Sequence, residues 1–439
     1  MALPPFNKMQ QEAIDFCLDR YFSGWFMPPG MGKTRAWLQV IKATRGRTLV
    51  VAPKLVCMNT WPAERRKWGY DSAFSMRFLH GRDRHLRKLP DVSLINYEAL
   101  PWLVEEARAA REFPFESVIF DEVSRIKNPE SKRFQAFERI MGRFKFRNGG
   151  TGTPVGAHLK DLYGEMFMID GGLSLGNDFE RFKREHFYEN EYTQRLEPYH
   201  DAEEMILRKL RPQAVSFDIN DLDMPPLVHI PEWLQLPAGA RQYYEEMHAN
   251  SFVEDLDVSA VNAAVRSGKL RQLASGGVID DTGERRYLHD VKSERLKEII
   301  EELQGQPVLI FFEFLSDYAA ICRALKQDVP ALYGGTKTRD ANRLITDWNA
   351  GRLPFFALHP RSAAYGLNLQ DSGRVLVWYS LPWSYEMVNQ GIARLWRQGQ
   401  KNRVLTYYLL VNDTIDCTVY DRVQEREGTH YRIMKGLMQ

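Results

Sequence analysis

The chain has 439 residues, with 59 Lys and Arg against 57 Asp and Glu, for a formal net charge of +2. A composition of 44% hydrophobic and 26% charged residues excludes a disordered or fibrous chain and supplies material for real cores, and the length suggests two to three domains. The near balance of charge argues neither for nor against nucleic acid, so any basic surface has to be local. The four cysteines, Cys17, Cys57, Cys322 and Cys417, are scattered, and no two have C-x-x-C spacing. Neither a zinc site nor a disulfide framework is expected, and reduced thiols in a cytosol-like compartment are the simplest reading. The first residues, Met1-Ala2-Leu3-Pro4-Pro5-Phe6, lack a charged n-region and a long apolar core, and no apolar run is long enough to span a bilayer, so no membrane role is expected. Low-complexity segments and short-period repeats are not visible.

Met9-Gln10-Gln11-Glu12-Ala13-Ile14-Asp15-Phe16-Cys17-Leu18 has the helical spacing of apolar positions. Gln10 is a candidate reader of an adenine edge, since an amide both donates and accepts, although a surface helix position is the simpler account of it alone. The apolar stretch Trp25-Phe26-Met27 then runs into Pro28-Pro29-Gly30-Met31-Gly32-Lys33-Thr34, and Arg35-Ala36-Trp37-Leu38-Gln39-Val40-Ile41 follows with a helical pattern. Strand, Gly-rich turn and helix together are the context of a phosphate-binding loop. Pro29, Gly30, Met31 and Gly32 would turn backbone amides onto phosphate oxygens at a helix N-terminus. Lys33 would reach the β- and γ-phosphates of ATP, and Thr34 would ligate Mg²⁺. The full Walker pattern asks for Gly at Met27. The shorter form, A-x-x-G-x-G-K-[ST], fits except for Met27 in place of Ala.

Thr48-Leu49-Val50-Val51-Ala52 is a short β-rich run ending at Pro53-Lys54, followed by a helical stretch with Trp61, Glu64 and Trp68. Val92-Ser93-Leu94-Ile95-Asn96-Tyr97 is another strand with a polar end. Residues just past the C-terminal ends of parallel strands lie where open α/β sheets bind ligands, which makes Lys54 and Tyr97 candidates against plain loop solvation. Ser117-Val118-Ile119-Phe120 reads as a buried parallel strand and ends in Asp121-Glu122. Asp121 would hold Mg²⁺, usually through water, and Glu122 would orient and deprotonate the attacking water. Adjacent carboxylates also occur as helix caps, but the phosphate loop upstream favours the chemical reading. Phe144-Lys145-Phe146-Arg147 leads into Gly149-Gly150-Thr151-Gly152-Thr153-Pro154, whose hydroxyls are placed to sense a γ-phosphate and touch a phosphodiester backbone, or else form a plain turn.

Residues 155–226 read as helical and polar, with aromatics at Phe179, Phe182, Phe187 and Tyr188. Arg208-Lys209-Leu210-Arg211 is a small basic cluster that a solvated helix face explains. Asp221 to Pro226, with paired prolines, is the candidate inter-lobe linker. A second α/β pattern builds from Val228, with strands at Val308-Leu309-Ile310-Phe311-Phe312, Phe355-Phe356-Ala357-Leu358 and Val375-Leu376-Val377-Trp378 separated by helical stretches, as in a parallel sheet. This half has no phosphate loop of its own. In Gln390-Gly391-Ile392-Ala393-Arg394-Leu395-Trp396-Arg397-Gln398-Gly399-Gln400, the residues Gln390, Arg394 and Arg397 stand at i, i+4 and i+7 and should share one helix face. Two guanidinium forks there suit a γ-phosphate as arginine fingers, with a salt-bridged surface stripe as the plainer alternative.

Taken together, Pro29-Gly30-Met31-Gly32-Lys33-Thr34, Ala52-Pro53-Lys54 with Trp61 and Glu64, Asp121-Glu122, and Thr151-Gly152-Thr153-Pro154 resemble the motor of helicase superfamily two. Arg125-Ile126-Lys127-Asn128 after the acidic pair resembles the Swi/Snf-type translocases within it. Ser293-Glu294-Arg295-Leu296 is similar to the opening of a helix before that family's second lobe core. Ser362-Ala363-Ala364-Tyr365-Gly366-Leu367-Asn368-Leu369-Gln370 resembles its motif coupling ATP to DNA, and the later run matches Q-x-x-x-R-x-x-R-x-G-Q. Departures from the family pattern are Ser124 for His or a similar residue, Ala157 for Asn, and Ser380 for an acidic residue ahead of Trp383.

The resemblance implies an α/β fold of two tandem RecA-like lobes with parallel sheets, residues 1–222 and 223–439, and a helical insertion or protrusion between the cores. It implies ATP with Mg²⁺ as cofactor. Gln10, the phosphate loop and Gly366 would bind nucleotide, Thr34 and Asp121 would bind metal, and Glu122, Gln390, Arg394 and Arg397 would be catalytic. Pro53, Lys54, Tyr97, Thr151, Thr153, Ser362 and Trp383 would face nucleic acid. The activity it implies is ATP-dependent, sequence-nonspecific translocation on duplex DNA, resembling compact phage or bacterial members. The alternatives are a strand-separating DNA or RNA helicase, or an ATP-gated DNA-binding subunit of a larger complex. A cytoplasmic, nucleoid-associated monomer is expected, in the host cytoplasm if the chain is phage-encoded, with a protein partner as the variant of that reading.

Overall fold

The computed structural model describes residues 3–44, 46–110, 112–154, 158–192, 194–219, 222–363 and 367–438. The chain forms two compact units, Met1–Asp223 with Gly428–Gln439, and Met224–Glu427. The first contains, in order, α1 (Lys8–Leu18), β1 (Phe22–Phe26), α2 (Lys33–Ala43), β2 (Thr48–Ala52), α3 (Trp61–Lys67), β3 (Met76–Phe78), β4 (Val92–Asn96), α4 (Leu100–Ala109), β5 (Ser117–Asp121), α5 (Lys132–Met141), β6 (Phe146–Thr151), α6 (Asp161–Asp170), α7 (Phe179–His186), β7 (Phe187–Asn190), β8 (Arg195–Pro198), α8 (Ala202–Leu210) and β9 (Ala214–Ser216). Seven of the strands form one sheet in the order β3-β4-β2-β5-β6-β1-β9, and every pairing in it is parallel.

The sheet is covered on both faces, which is why its strands read as continuous apolar runs. The two-residue alternation of a strand sends Phe26, Val51 and Phe120 to one core and Trp25, Val50 and Ile119 to the other. In the second core the Trp25 and Trp37 rings stack at 3.5 Å and 4°, which clamps α2 onto the strand that precedes the phosphate loop. Helix α6 approaches the turn after β5 so closely that a Cβ on Gly164 would lie 1.8 Å from the Lys127 carbonyl oxygen, and the Lys127 ammonium pairs with Asp161 at 2.8 Å.

The segment expected to be helical holds α6, α7 and α8, but also two strand features the sequence does not announce. One is the hairpin β7–β8, held on its polar side by Tyr188 and Asn190, which both donate to the Glu197 carboxylate at 3.0 Å. The other is β9, which pairs with β1 at the edge of the main sheet. A three-residue strand and a polar hairpin are too short and too mixed to give a period-two signal. The C-terminal residues pack with the first unit, where Ile433, Met434 and Leu437 are buried, rather than with the lobe they follow in sequence. Asp221 of the candidate linker and Ala157 lie outside the described residues.

The second unit contains β10 (Leu227–Leu234), α9 (Ala238–Asn250), β11 (Phe252–Val253), β12 (Val258–Ser259), α10 (Ala263–Ser275), β13 (Gly277–Ile279), β14 (Arg285–Tyr287), α11 (Val291–Glu302), β15 (Val308–Phe311), α12 (Leu315–Leu325), β16 (Ala331–Leu332), α13 (Thr338–Asn349), β17 (Phe355–Leu358), α14 (Pro360–Ala363), β18 (Val375–Trp378), α15 (Tyr385–Ile392), β19 (Val404–Val411) and the start of α16 (Ile415–Leu437). Its six-stranded sheet has the order β10-β19-β18-β15-β17-β16 and is again parallel throughout. Leu309, Phe311, Leu376 and Trp378 face one core, and Val308, Ile310, Val375 and Val377 the other.

Replacing Gly164 by Ala forces its Cβ into the Lys127 backbone. Thermal unfolding should show Gly164→Ala destabilised by about 1–3 kcal/mol. Gly142→Ala, with right-handed backbone and open space around it, should be neutral or slightly stabilised.

Candidate nucleotide site

The phosphate loop leaves β1 at Phe26 and enters α2 at Lys33. Gly30 and Gly32 have φ of 86° and 82°, a left-handed backbone that glycine adopts without steric cost. Gly32 caps α2, and a helix N-terminus entered from a glycine turn is the geometry that binds phosphate. Met27 shows why the missing Gly is tolerated. Its side chain is fully buried among Trp25, Trp37 and their neighbours, its amide donates to the Thr151 carbonyl at 3.1 Å, and only its backbone belongs to the loop. The Lys33 ammonium donates to the carbonyls of Met27 at 2.6 Å and Pro28 at 3.4 Å, and Thr34 stands beside it on the first turn of α2.

Gln10 packs against the phosphate loop. It is 2% exposed, its Oε1 accepts the Asn7 amide at 3.3 Å within a capping box, and its Nε2 donates to the Met31 carbonyl at 3.2 Å. An amide tied to the helix cap on one side and the loop backbone on the other is a tether that supports the phosphate loop.

Asp121 and Glu122 stand at the C-terminal tip of β5. The Asp121 Oδ2 accepts the Trp61 indole N–H at 2.9 Å. Burial pushes the Asp121 carboxyl up to about 6, reinforced by the Glu122 charge, while the Trp61 hydrogen bond and the Lys33 charge hold it down. Glu122 has φ 73° and ψ 63°, a left-handed conformation that is strained for a side chain of this size. Its amide donates to the Gly150 carbonyl at 2.9 Å, and its Oε1 accepts from Ser124 Oγ at 3.1 Å and from Thr151 Oγ1. Tyr97 is fully buried, and its hydroxyl donates to the carbonyls of Asp121 at 3.1 Å and Glu122 at 2.8 Å. The nucleic-acid contact expected of Tyr97 is therefore corrected: it braces the acidic turn from inside the fold.

Thr151 and Thr153 have no exposed surface either, and the Thr153 amide donates to Thr151 Oγ1 at 3.1 Å. Their direct contact with a phosphodiester backbone is corrected to a link within the site. A Cβ on Gly152 would meet Pro29 at 2.5 Å, so this turn is seated on the phosphate loop. Of the pair after β2, Pro53 is buried and Lys54 is exposed.

In the second unit, α15 ends at Ile392, so Gln390, Arg394 and Arg397 do not share a helix face as expected. The chain tightens after Gly391, where the Arg394 amide returns to the Gly391 carbonyl at 3.1 Å and Leu395 turns into the core. The arginines converge by another route. Arg394 donates to the carbonyls of Gln390 at 2.8 Å and Leu367 at 3.1 Å, and Arg397 donates to the Leu367 carbonyl at 3.4 Å and to Asn368 Oδ1. Gln390 is buried and donates to Glu386 at 3.3 Å. Ser362 is buried, and half-buried Trp383 has Arg422 over its ring at 5.3 Å. Gly366 lies outside the described residues.

Sequence reasoning missed Trp61 and Ser124 as partners of the acidic pair. The signal for Trp61 was its position after β2, but only the strand order, with β2 beside β5, shows that the residues following one can reach the tip of the other.

Among the described residues no group of three His, Cys, Asp or Glu side chains forms a metal site. Thr34 and Asp121 are hard oxygen donors, and such a small set suits Mg²⁺ shared with phosphates better than an all-protein cage. A parallel sheet with a glycine loop, Lys-Thr and an acidic pair along its C-terminal edge defines a P-loop ATPase lobe. The SNF2-related domain family matches residues 19–278, and the helicase conserved C-terminal domain matches residues 291–399. The chain belongs to the SNF2-related family of helicase-like ATPases, whose activity class is nucleic-acid-dependent ATP hydrolysis. Protein p41 of Acyrthosiphon pisum secondary endosymbiont phage 1 is 31% identical over 98% of this chain and 97% of its own length. The ISWI chromatin-remodeling complex ATPase ISW1 of Saccharomyces cerevisiae is 24% identical over 90% of this chain but only 37% of its own length. Among solved structures, the Sulfolobus solfataricus SWI2/SNF2 ATPase core in complex with dsDNA aligns over 99% of this chain and 97% of its own, at 20% identity and a TM-score of 0.45.

Because the Asp121 carboxyl is raised from 3.8 to about 6, the stability it leaves intact below pH 3.8 is lost as pH rises through 6. In metal-free protein, Asp121→Asn should unfold later than wild type at pH 7.5, by about 2 kcal/mol, and the gap should close toward pH 4 in denaturant titrations.

Proposed function

We propose that this chain is an ATP-driven, sequence-nonspecific translocase on duplex DNA. The observation that carries the ATPase half is the tip of β5, where Asp121 and Glu122 are held apart by separate hydrogen-bond partners beside a glycine loop ending in Lys33-Thr34. Lys33 and the loop amides would hold phosphates, with Thr34 and Asp121 holding the metal. Mg²⁺ bound there would neutralise phosphate charge as it develops. Glu122, aimed by Ser124 and Thr151, would take the proton of the attacking water. Arg394 and Arg397, fixed charges held by the Leu367 carbonyl and the Asn368 side chain, would serve as arginine fingers toward a γ-phosphate.

Duplex DNA as the track is supported by family membership and by the likeness of Arg125-Ile126-Lys127-Asn128 and of the 390–400 motif to Swi/Snf-type translocases. Lys54, exposed past the end of β2, would meet backbone phosphate, and contacts of that kind give no sequence preference and weaken steeply with salt. The match to a phage protein over 98% of this chain and 97% of that protein supports a phage or bacterial setting, in which the chain would work as a monomer on cytoplasmic or host-cytoplasmic DNA. No helix among the described residues is long and apolar enough to cross a membrane.

ATP hydrolysis at low salt should be stimulated by duplex DNA more than by single-stranded DNA or RNA. Glu122→Gln should lower the stimulated rate about 10²- to 10⁴-fold while nucleotide still binds, and Lys33→Ala should lose both. Stimulation by single strands alone would replace this reading with a helicase, and hydrolysis indifferent to nucleic acid would contradict it.

A further inference from the structure

Trp61 is one of several buried indoles, and its surroundings set it apart. Trp25, Trp37 and Trp378 are equally enclosed, and their Nε1 atoms are unpartnered, so burial of an indole in this fold does not by itself call for a hydrogen bond. The Trp61 N–H, a group that can only donate, is aimed at Asp121 Oδ2. The helix that carries it is fixed at both ends. At its start, the Trp61 amide donates to the Val56 carbonyl across a five-residue π-helical turn, Val56–Thr60, a rare geometry that recurs at functional sites. Cys57 within that turn donates from its amide to the Pro53 carbonyl at 3.0 Å and from Sγ to the Ile95 carbonyl at 3.3 Å, which pins the turn to the ends of β2 and β4. Just past the end of α3, the Trp68 ring lies 3.9 Å from the guanidinium of Arg35 on α2, the helix that opens with Lys33-Thr34.

We infer that Trp61 is a positioning residue for the metal-binding carboxylate. By holding Oδ2 it fixes the rotation of the Asp121 side chain and reserves Oδ1 for a divalent cation on the nucleotide. The assignment rests on the ATP·Mg²⁺ reading above and adds a residue to it. Partners of metal ligands at this remove act on affinity for the metal, where their loss typically costs about 10- to 100-fold.

The test is equilibrium binding of a fluorescent, non-hydrolysable ATP analogue to the full chain, titrated with Mg²⁺. In Trp61→Phe, the Mg²⁺ concentration giving half of the metal-dependent increase in affinity should rise about 10-fold, with nucleotide affinity in EDTA unchanged. Asp121→Asn should abolish most of the metal dependence, and Trp61→Phe added to it should have no further effect. If Trp61→Phe does not fold, the benzothiophene isostere of tryptophan placed at 61 keeps the shape without the N–H and should give the same shift. An unchanged Mg²⁺ midpoint, or equal losses with and without metal, would overturn the assignment while leaving the ATPase reading in place. Wild-type protein that binds the analogue without any Mg²⁺ dependence would overturn the reading itself.

Discussion

The ligand edge of the first unit depends on one non-glycine residue held in a left-handed backbone. At Glu122 the backbone turns to φ 73° and ψ 63° immediately after β5, a conformation that costs of order 1–3 kcal/mol for a non-glycine residue. Three contacts offset it: the Glu122 amide on the Gly150 carbonyl, and the Tyr97 hydroxyl on the two carbonyls of the acidic pair. The turn sends two neighbouring carboxylates in different directions. Asp121 stays toward Trp61 and within the field of Lys33, while Glu122 swings to Thr151 and Ser124. Two carboxylates in unlike settings can take unlike roles, one as a ligand and the other as a base.

Strand order makes this turn a neighbour of the phosphate loop. In β5-β6-β1, the tip of β6 stands between the acidic pair and the loop. Thr151 reaches Glu122 through its hydroxyl and Met27 through its carbonyl, and Gly152 is seated on Pro29. The Thr-Gly-Thr-Pro turn is therefore the mechanical connection between the residues that would hold phosphate and the residue that would activate water. That explains why its threonines are buried rather than offered to a nucleic acid. Ser124, which departs from the family pattern, supplies a donor to the same carboxylate.

Much of this was legible in the sequence because it is local. The glycines, Lys33 and Thr34 follow an apolar strand and precede a helix, and Asp121-Glu122 ends a strand whose burial shows in its unbroken apolar run. What was not legible depends on residues distant in sequence. Gln10 and Tyr97 have polar groups suited to a ligand, but their partners, Met31 and the Asp121 and Glu122 carbonyls, come together only through tertiary packing. The shared helix face of Gln390, Arg394 and Arg397 was inferred from spacing alone. It fails because Gly391, against which Trp378 leaves no room for a Cβ, sits where the chain tightens and the helix ends. The arginines still meet, on Leu367 and Asn368, through contacts that spacing cannot encode.

The central claim is directed movement along duplex DNA driven by ATP, and displacement of a triplex-forming oligonucleotide from a long duplex tests it most directly. The account predicts that the third strand is released only with hydrolysable ATP, that the lag before release lengthens with the distance between the loading site and the triplex, and that the two strands of the duplex stay paired. Tight ATP-dependent binding to the duplex without release of the third strand would contradict the account and leave a clamp in place of a motor.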